Sequence, residues 1–310
     1  MKLSIVATLY KSADYIAEFN RRASAVAKEL VGEDYEIIYV NDGSPDESLN
    51  LAVQLTKEDG HLAVVDLSRN FGHHKAMMTG LGYATGEQVF LIDSDLEEEP
   101  EWLLSFAKQM ETEESDVVYG VQSKRRGGFF EQATGKLFYK AFRFLTGIAQ
   151  PNDIVTARLM SRRYVNSLLL HQERELNIGG LWVITGFKQA QQIVQKHATS
   201  PTTYSLAHKL SHLVNAVTSF SSKPLVYTFY SGLFISITAI TYIAYLTIRY
   251  FIAAPPDGYT SIIASVWLFS GLIIFFIGLQ GIYISKVFSE VKQRPYSIIR
   301  HVYKNSELIQ

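Results

Sequence analysis

Two long segments almost free of charge set the strongest limit on what this chain can fold into. From Leu225 to Ile252 the one charged residue is Arg249, and Ile262 to Ser285 carries none. Each run is about 24–28 residues, which at 1.5 Å per residue crosses a ~30 Å hydrocarbon layer with some tilt. Buried core helices can be this apolar, but two such runs in succession argue against that reading. The residues between them, Ala254-Pro255-Pro256-Asp257-Gly258-Tyr259, form a tight polar turn, so the pair is expected to be a helical hairpin. Lys223 precedes the first run, and Lys286, Lys292, Arg294 and Arg300 follow the second, whereas the turn has no Lys or Arg. The positive-inside rule then places both flanks in the cytosol.

The chain of 310 residues leaves room ahead of the hairpin for one α/β domain of ordinary size. A formal net charge of −1 gives no basic surface for a nucleic-acid backbone, so no nucleic-acid partner is expected. The absence of cysteine excludes disulfides, iron–sulfur clusters and thiolate zinc sites, and suits a reducing compartment. The opening residues MKLSIVATLY turn polar too soon for a secretory signal and are read as a first strand.

Apolar, β-branched runs recur at Leu3–Leu9, Tyr35–Val40, Leu62–Leu67, Val89–Ile92 and Val117–Tyr119. Helix-compatible stretches at Ala13–Leu30, Asp46–Lys57, Lys75–Ala84 and Glu101–Glu111 separate them. Near-continuous apolar strands alternating with helices predict a parallel sheet covered on both faces. Ligands of such sheets bind at the carboxyl ends of strands. The polar clusters fall there: Thr8 and Tyr10, Asn41-Asp42-Gly43-Ser44, Ser68-Arg69-Asn70, and Asp93-Ser94-Asp95. After Gly120 the alternation fades into a basic loop, Lys124–Gly128, a helix over Phe130–Thr146, and an irregular polar stretch reaching Arg158. Leu206, Leu210, Leu213, Val214 and Val217 have the spacing of an amphipathic helix, which just before the first apolar run is expected at the membrane interface, an ordinary surface helix packed on the core being the alternative.

Two carboxylates one residue apart, where a strand frays into a loop, can both reach one hard cation. Asp93 and Asp95 follow such a strand, and Glu97, Glu98 and Glu99 continue the acidic run. Alone, this spacing occurs often by chance in solvated turns. Asp42 also ends an apolar strand, where it could accept from a base or ribose group, or cap a turn.

The order of short motifs resembles the inverting GT-A glycosyltransferases that make polyprenyl-phosphate sugars, similar to dolichol-phosphate mannose synthases and bactoprenol glucosyltransferases. The matching pieces are Val40-Asn41-Asp42-Gly43-Ser44, Leu67-Ser68-Arg69-Asn70-Phe71-Gly72, Ile92-Asp93-Ser94-Asp95-Leu96, Val118-Tyr119-Gly120 and Arg158-Leu159-Met160-Ser161-Arg162. Gly186-Phe187-Lys188-Gln189, Phe220-Ser221 with Lys223-Pro224-Leu225, and Lys292-Gln293-Arg294-Pro295 extend it almost end to end. The resemblance implies that Thr8, Tyr10, Asp42 and Arg69 hold the nucleotide with Asp93. It implies that Asp93 and Asp95 bind Mg2+ or Mn2+, joined by Glu97 where the family has glutamine. Arg125 and Arg158 match arginines that lie toward the reacting phosphates, for which guanidinium forks are suited. With Asp95 they form the expected catalytic set.

Three departures stand out. Gln122 replaces an arginine, His73-His74 replaces a Lys-Glu pair and is read as a loop variant although a histidine pair also suggests metal, and Thr156 replaces an aspartate proposed as a base. Asp153 is the nearest substitute, although an ionised lipid phosphate needs no base to attack. The expected organisation is a GT-A (Rossmann-like) catalytic domain over residues 1–200, an interfacial region over 201–224, two transmembrane helices over 225–285 and a basic cytosolic tail over 286–310. The expected enzyme is a plasma-membrane glycosyltransferase moving a sugar from a nucleotide-sugar donor to a polyprenyl phosphate lipid acceptor, homo-oligomeric by analogy. Another membrane acceptor, a polysaccharide chain, or a non-catalytic membrane scaffold are the alternatives.

Overall fold

The computed structural model describes residues 1–122, 140, 143–147, 153–174, 176–197, 214, 217–252, 258–305 and 307–309. Two compact units emerge: Met1–Tyr139 with Ile148–Tyr204 and Arg294–Gln310, and Lys140–Gly147 with Ser205–Gln293.

The first unit is a mixed α/β sheet. Strands β1 (Leu3–Leu9), β2 (Tyr35–Asn41), β3 (Leu62–Leu67) and β4 (Gln88–Asp93) alternate with helices α1 (Ile16–Val31), α2 (Ser48–Glu58) and α3 (His73–Tyr83). Helix α4 (Trp102–Glu113) leads to β5 (Val117–Gln122), and further on come β6 (Ile154–Ser161), α5 (Arg162–Leu168), α6 (Ile178–Ile184) and β7 (Gln189–Val194). The sheet order is β7-β5-β6-β4-β1-β2-β3, extended by β8 (Ile299–Lys304) and β9 (Glu307–Leu308). β1 is buried along its whole length, as a strand covered on both faces must be. Its odd positions, Leu3, Ile5, Ala7 and Leu9, join one core with Ile16, Phe19 and Ala23 of α1 and Leu103 and Phe106 of α4. Its even positions face α3, which approaches so closely that a Cβ on Gly80 would meet Val6 and Val40.

Chain direction sets where a ligand can go. β2 and β4 flank β1, both parallel to it, so the order reverses there and a crevice opens beyond Thr8 and Asp93, which face each other in register. The loops around it are tied by a hydroxyl network. Ser94 Oγ donates to Thr8 O (2.7 Å) and Ser12 Oγ (3.1 Å), and the Ser12 amide donates to Ser48 Oγ (2.9 Å). Ser44 and Ser48 hydroxyls both donate to Asp46 Oδ1 (2.5 and 2.6 Å), just ahead of α2.

The structure corrects two sequence expectations in this unit. The stretch reaching Arg158, where residues 153–158 are described, enters β6 at Ile154, antiparallel to both β4 and β5, with polar Thr156 and Arg158 concealing its alternation; its residues 148–152 lie outside the described residues. The segment expected as a basic tail returns to the sheet. β8 pairs antiparallel with β3, the Ser68 amide donates to Ile298 O (2.8 Å), and Thr79 Oγ1 bonds Ser297 Oγ (2.7 Å).

The second unit holds α7 (Lys223–Ile252) and α8 (Tyr259–Val291), two helices long and apolar enough to cross a membrane. Their apolar windows are unburied, unlike core helices, with Phe229, Phe234, Ile240, Trp267 and Ile274 among the exposed side chains. One end of the pair is fastened by polar groups: Tyr283 Oη donates to Ser221 O (2.7 Å), Lys286 Nζ to Ser219 Oγ (3.2 Å) and Lys223 Nζ to Phe144 O (2.9 Å). The expected interfacial helix lies mostly outside the described residues, as do the turn over 254–257 and most of the helix expected over 130–146.

Burial alone would raise Asp46, but the Ser44 and Ser48 hydroxyls and the Ser48 and Ala13 amides lower it to about 2. Its folded value lies below the unfolded one. The stabilisation is therefore complete above about pH 4 and is lost as pH falls through about 2. Asp46→Asn gives up acceptor capacity toward these hydroxyls and amides and is expected to cost about 1 kcal/mol at neutral pH. The gap from wild type in thermal unfolding should close as acid is added.

Candidate nucleotide and metal site

The end of β1 places Thr8 beside Asp93 on β4, and the first residue of α3 bridges them. His73 Nδ1 lies 3.1 Å from Thr8 Oγ1, and its Nε2 lies 3.3 Å from Asp93 Oδ1. Asp93 Oδ2 accepts from Thr156 Oγ1 (2.8 Å), so β6 reaches the same carboxylate from the other side. Burial works against charge on both partners. The mutual contact outweighs it, raising His73 and, with Thr156, lowering Asp93. Reading His73-His74 as a loop variant therefore missed a member of the site, because α3 starts two residues earlier than expected. His74 instead points to Leu176 O at 3.2 Å.

Asp95 keeps one oxygen on the Glu97 amide (3.0 Å), and burial, with Asp93 nearby, raises it. Glu97 turns toward Lys196 Nζ at 3.1 Å. Among the described residues no three carboxylate or imidazole groups gather as a metal cage. Of the expected three-carboxylate cluster, Asp93 and Asp95 stand at the end of β4, and Glu97 pairs with an ammonium group. Glu98 was not singled out from the run of three glutamates, yet it is the buried one. Its oxygens accept the Thr156 and Ala157 amides (2.9 and 2.8 Å), and burial lifts it to about 7.

A hard divalent cation suits this place. Asp93 Oδ1 is shielded from solvent and, among the described residues, is met by the His73 imidazole at 3.3 Å in an ion pair without hydrogen-bond geometry, which leaves lone pairs on it open. A buried oxygen of that kind is costly unless something satisfies it, and carboxylate oxygens are the donors that Mg2+ and Mn2+ take.

The expected nucleotide residues cluster on neighbouring strand ends. Asp42 is buried and accepts the Phe71 and Gly72 amides (2.7 and 3.0 Å), so it holds the β3–α3 loop in place. Gly43, at φ 60°, packs against the Arg69–Asn70 backbone where a Cβ would collide. Arg69 lies over the Phe71 ring, 4.1 Å from its centre, and donates to Asn70 O (3.0 Å). Tyr10 stands half exposed at the rim.

Arg158 is buried against the Trp182 ring, donating to Thr156 O (3.2 Å) and Val155 O (3.4 Å). No carboxylate pairs with it among the described residues, and burial lowers it to about 9. It lines a cavity of about 230 Å3 with Tyr119, Ile154, Trp182 and Phe187. Asp153, Gln122 and Thr156 line a second cleft of about 260 Å3 with Glu98 and Lys196. Arg125 lies outside the described residues.

The model of a family described as Glycosyl transferase family 2 matches residues 4–169. A Mycobacterium tuberculosis protein assigned to the glycosyltransferases, with no substrate stated, is 50% identical over 98% of this chain and 89% of its own length. The uncharacterized glycosyltransferase YkcC of Bacillus subtilis is 33% identical over 98% of this chain and 94% of its own. An Enterobacter undecaprenyl-phosphate 4-deoxy-4-formamido-L-arabinose transferase is 30% identical over 97% and 93%.

Asp42 uses both oxygens on backbone amides, so Asp42→Asn must turn an NH2 toward one of them. The loss is about 1–3 kcal/mol. Hydrogen exchange at the Phe71 and Gly72 amides should then accelerate about 10–100-fold. Unchanged exchange would mean that the loop stands without Asp42.

Proposed function

Because the chain belongs to glycosyl transferase family 2, we propose that it moves a sugar from a nucleoside diphosphate to a polyprenyl phosphate, with inversion, at the cytosolic face of a membrane. It is a glycosyltransferase; the acceptor, the metal and the membrane are the parts of this reading that go further. One observation carries it: Asp93, at the sheet's switch point beside Asp95 and framed by Thr8, His73 and Thr156, with a shielded Oδ1 that the His73 imidazole approaches at 3.3 Å without hydrogen-bond geometry.

Asp93 and Asp95 would hold Mg2+ or Mn2+, which when bound neutralises charge on the departing diphosphate. Thr8, Tyr10, Asp42 and Arg69 line the strand ends where the nucleotide lies. His73 fixes Asp93 from one side and Thr156 from the other, so the carboxylate does not swing when charge builds up beside it. The bond from the anomeric carbon to the diphosphate oxygen breaks as an oxygen of the lipid phosphate attacks from the opposite face. That phosphate is already ionised near neutral pH, so no proton has to be removed and threonine suffices at position 156. Arg158, a buried cation with no carboxylate partner among the described residues, supplies positive charge next to this path.

The lipid acceptor is supported by the two exposed apolar helices and by the polyprenyl acceptor in the name of the Enterobacter relative. Anchorage confines the enzyme to the surface that such an acceptor occupies, which raises its effective concentration.

The direct test supplies the purified chain with undecaprenyl phosphate, Mn2+ and a panel of radiolabelled nucleotide sugars. At least one donor should label the lipid, and Asp95→Ala should lower that rate at least about 100-fold. No labelled lipid with any donor would sink the acceptor assignment, and full activity of Asp95→Ala would remove the metal pair.

A further inference from the structure

The acidic run after β4 is met by a segment from the other end of the sheet. β7 pairs parallel with β5, and the second and third residues beyond its end, Lys196 and His197, fold onto the three glutamates. The His197 amide donates to Glu97 O (2.9 Å), and its ring lies 2.5 Å from Glu99 Oε1. Lys196 Nζ sits 3.1 Å from Glu97 Oε2 and 3.5 Å from Glu98 Oε1. The ammonium group is thus delivered by paired backbone. Lys196 lines the cleft shared with Asp153 and Thr156, and its side chain keeps 23% of its surface exposed.

We propose that Lys196 is the resident counter-cation of the acidic site and competes with the divalent metal, so that this residue sets metal affinity. The inference rests on the reading of Asp93 and Asp95 as a metal pair. Asp93, Asp95, Glu97 and Glu98 crowd four carboxyl groups into six residues. In the metal-free protein such a group needs a nearby cation, since carboxylates left buried and uncompensated are destabilising. When a dication arrives, the same ammonium group repels it. A lysine suits this work because it is a compact charge on a flexible four-carbon stem that can swing into an adjoining cleft.

The proposal makes two effects of removing Lys196 run in opposite directions. Metal-free stability should fall, and metal affinity should rise. A residue that merely props up the loop would lower both. The experiment uses the full chain in lipid nanodiscs, titrated with Mn2+ alone, with free Mn2+ read by electron paramagnetic resonance and unfolding read by thermal scan. Lys196→Met should bind Mn2+ at least about tenfold more tightly than wild type. Its melting temperature without metal should be lower, and its gain on adding Mn2+ larger. Lys196→Arg, which keeps the charge, should stay within about threefold of wild type. If Lys196→Met fails to fold, Lys196→Gln reads the same quantity. Equal or weaker Mn2+ binding by the neutral variant overturns the role of Lys196 while leaving the metal site intact. Absence of Mn2+ binding by wild type at millimolar concentration overturns the metal pair itself, and the inference with it.

Discussion

Crowding of carboxyl groups at the end of β4 is the constraint around which the sheet-bearing unit is arranged. Asp93, Asp95 and Glu98 are drawn into the crevice, where water cannot solvate them freely, and each must be met by a donor or a cation. Four separate elements answer. α3 brings His73, β6 brings the Thr156 hydroxyl and two amides, the chain after β7 brings Lys196, and the Asp95–Glu97 turn supplies its own N–H. Adding β6 antiparallel to β4 is what makes this possible. A strand running the other way carries its residues 156 and 157 past the carboxyl end of its neighbour and offers amides there.

The rest of the crevice is stiffened by ordinary polar contacts. The serine and Asp46 network ties the loops after β1, β2 and β4 to the start of α2, and Asp42 ties the loop after β3 to β2. Strand-end loops normally move more than the strands that carry them. Here they share hydrogen bonds across the sheet, so a ligand meets a preformed floor and spends less of its binding energy on ordering it.

Much of this was legible in the residues alone. β1 and β3 have the bounds that their apolar runs predict, and the four polar clusters do lie at strand ends. What escaped was whatever depends on distant pairing. No local pattern says which glutamate of three in a row is buried, since that is decided by amides on β6. Lys196 sits in no motif and acquires meaning only because β7 adds beside β5. Arg158 looked like part of a loop because a charged residue within an apolar alternation reads as surface, whereas here it is flattened against Trp182. His73 was passed over because histidine is a weak helix signal and glycine precedes it.

The return of the chain to β8 changes what kind of object the apolar pair is. Residues 205–293 leave and re-enter the same sheet-bearing unit, so the hairpin is an insertion and not an appendage. Cutting the chain before Lys223, the obvious route to a soluble fragment, would also strip β8 from β3. A paired strand would become an open edge with unpaired amides and carbonyls, a template for sticking to other chains. Arg300, which reaches Ser68 O and Asp66 beside the loop after β3, would leave as well. The catalytic unit is closed only by residues synthesised after the hairpin. It can therefore complete its sheet only once both apolar helices have been made.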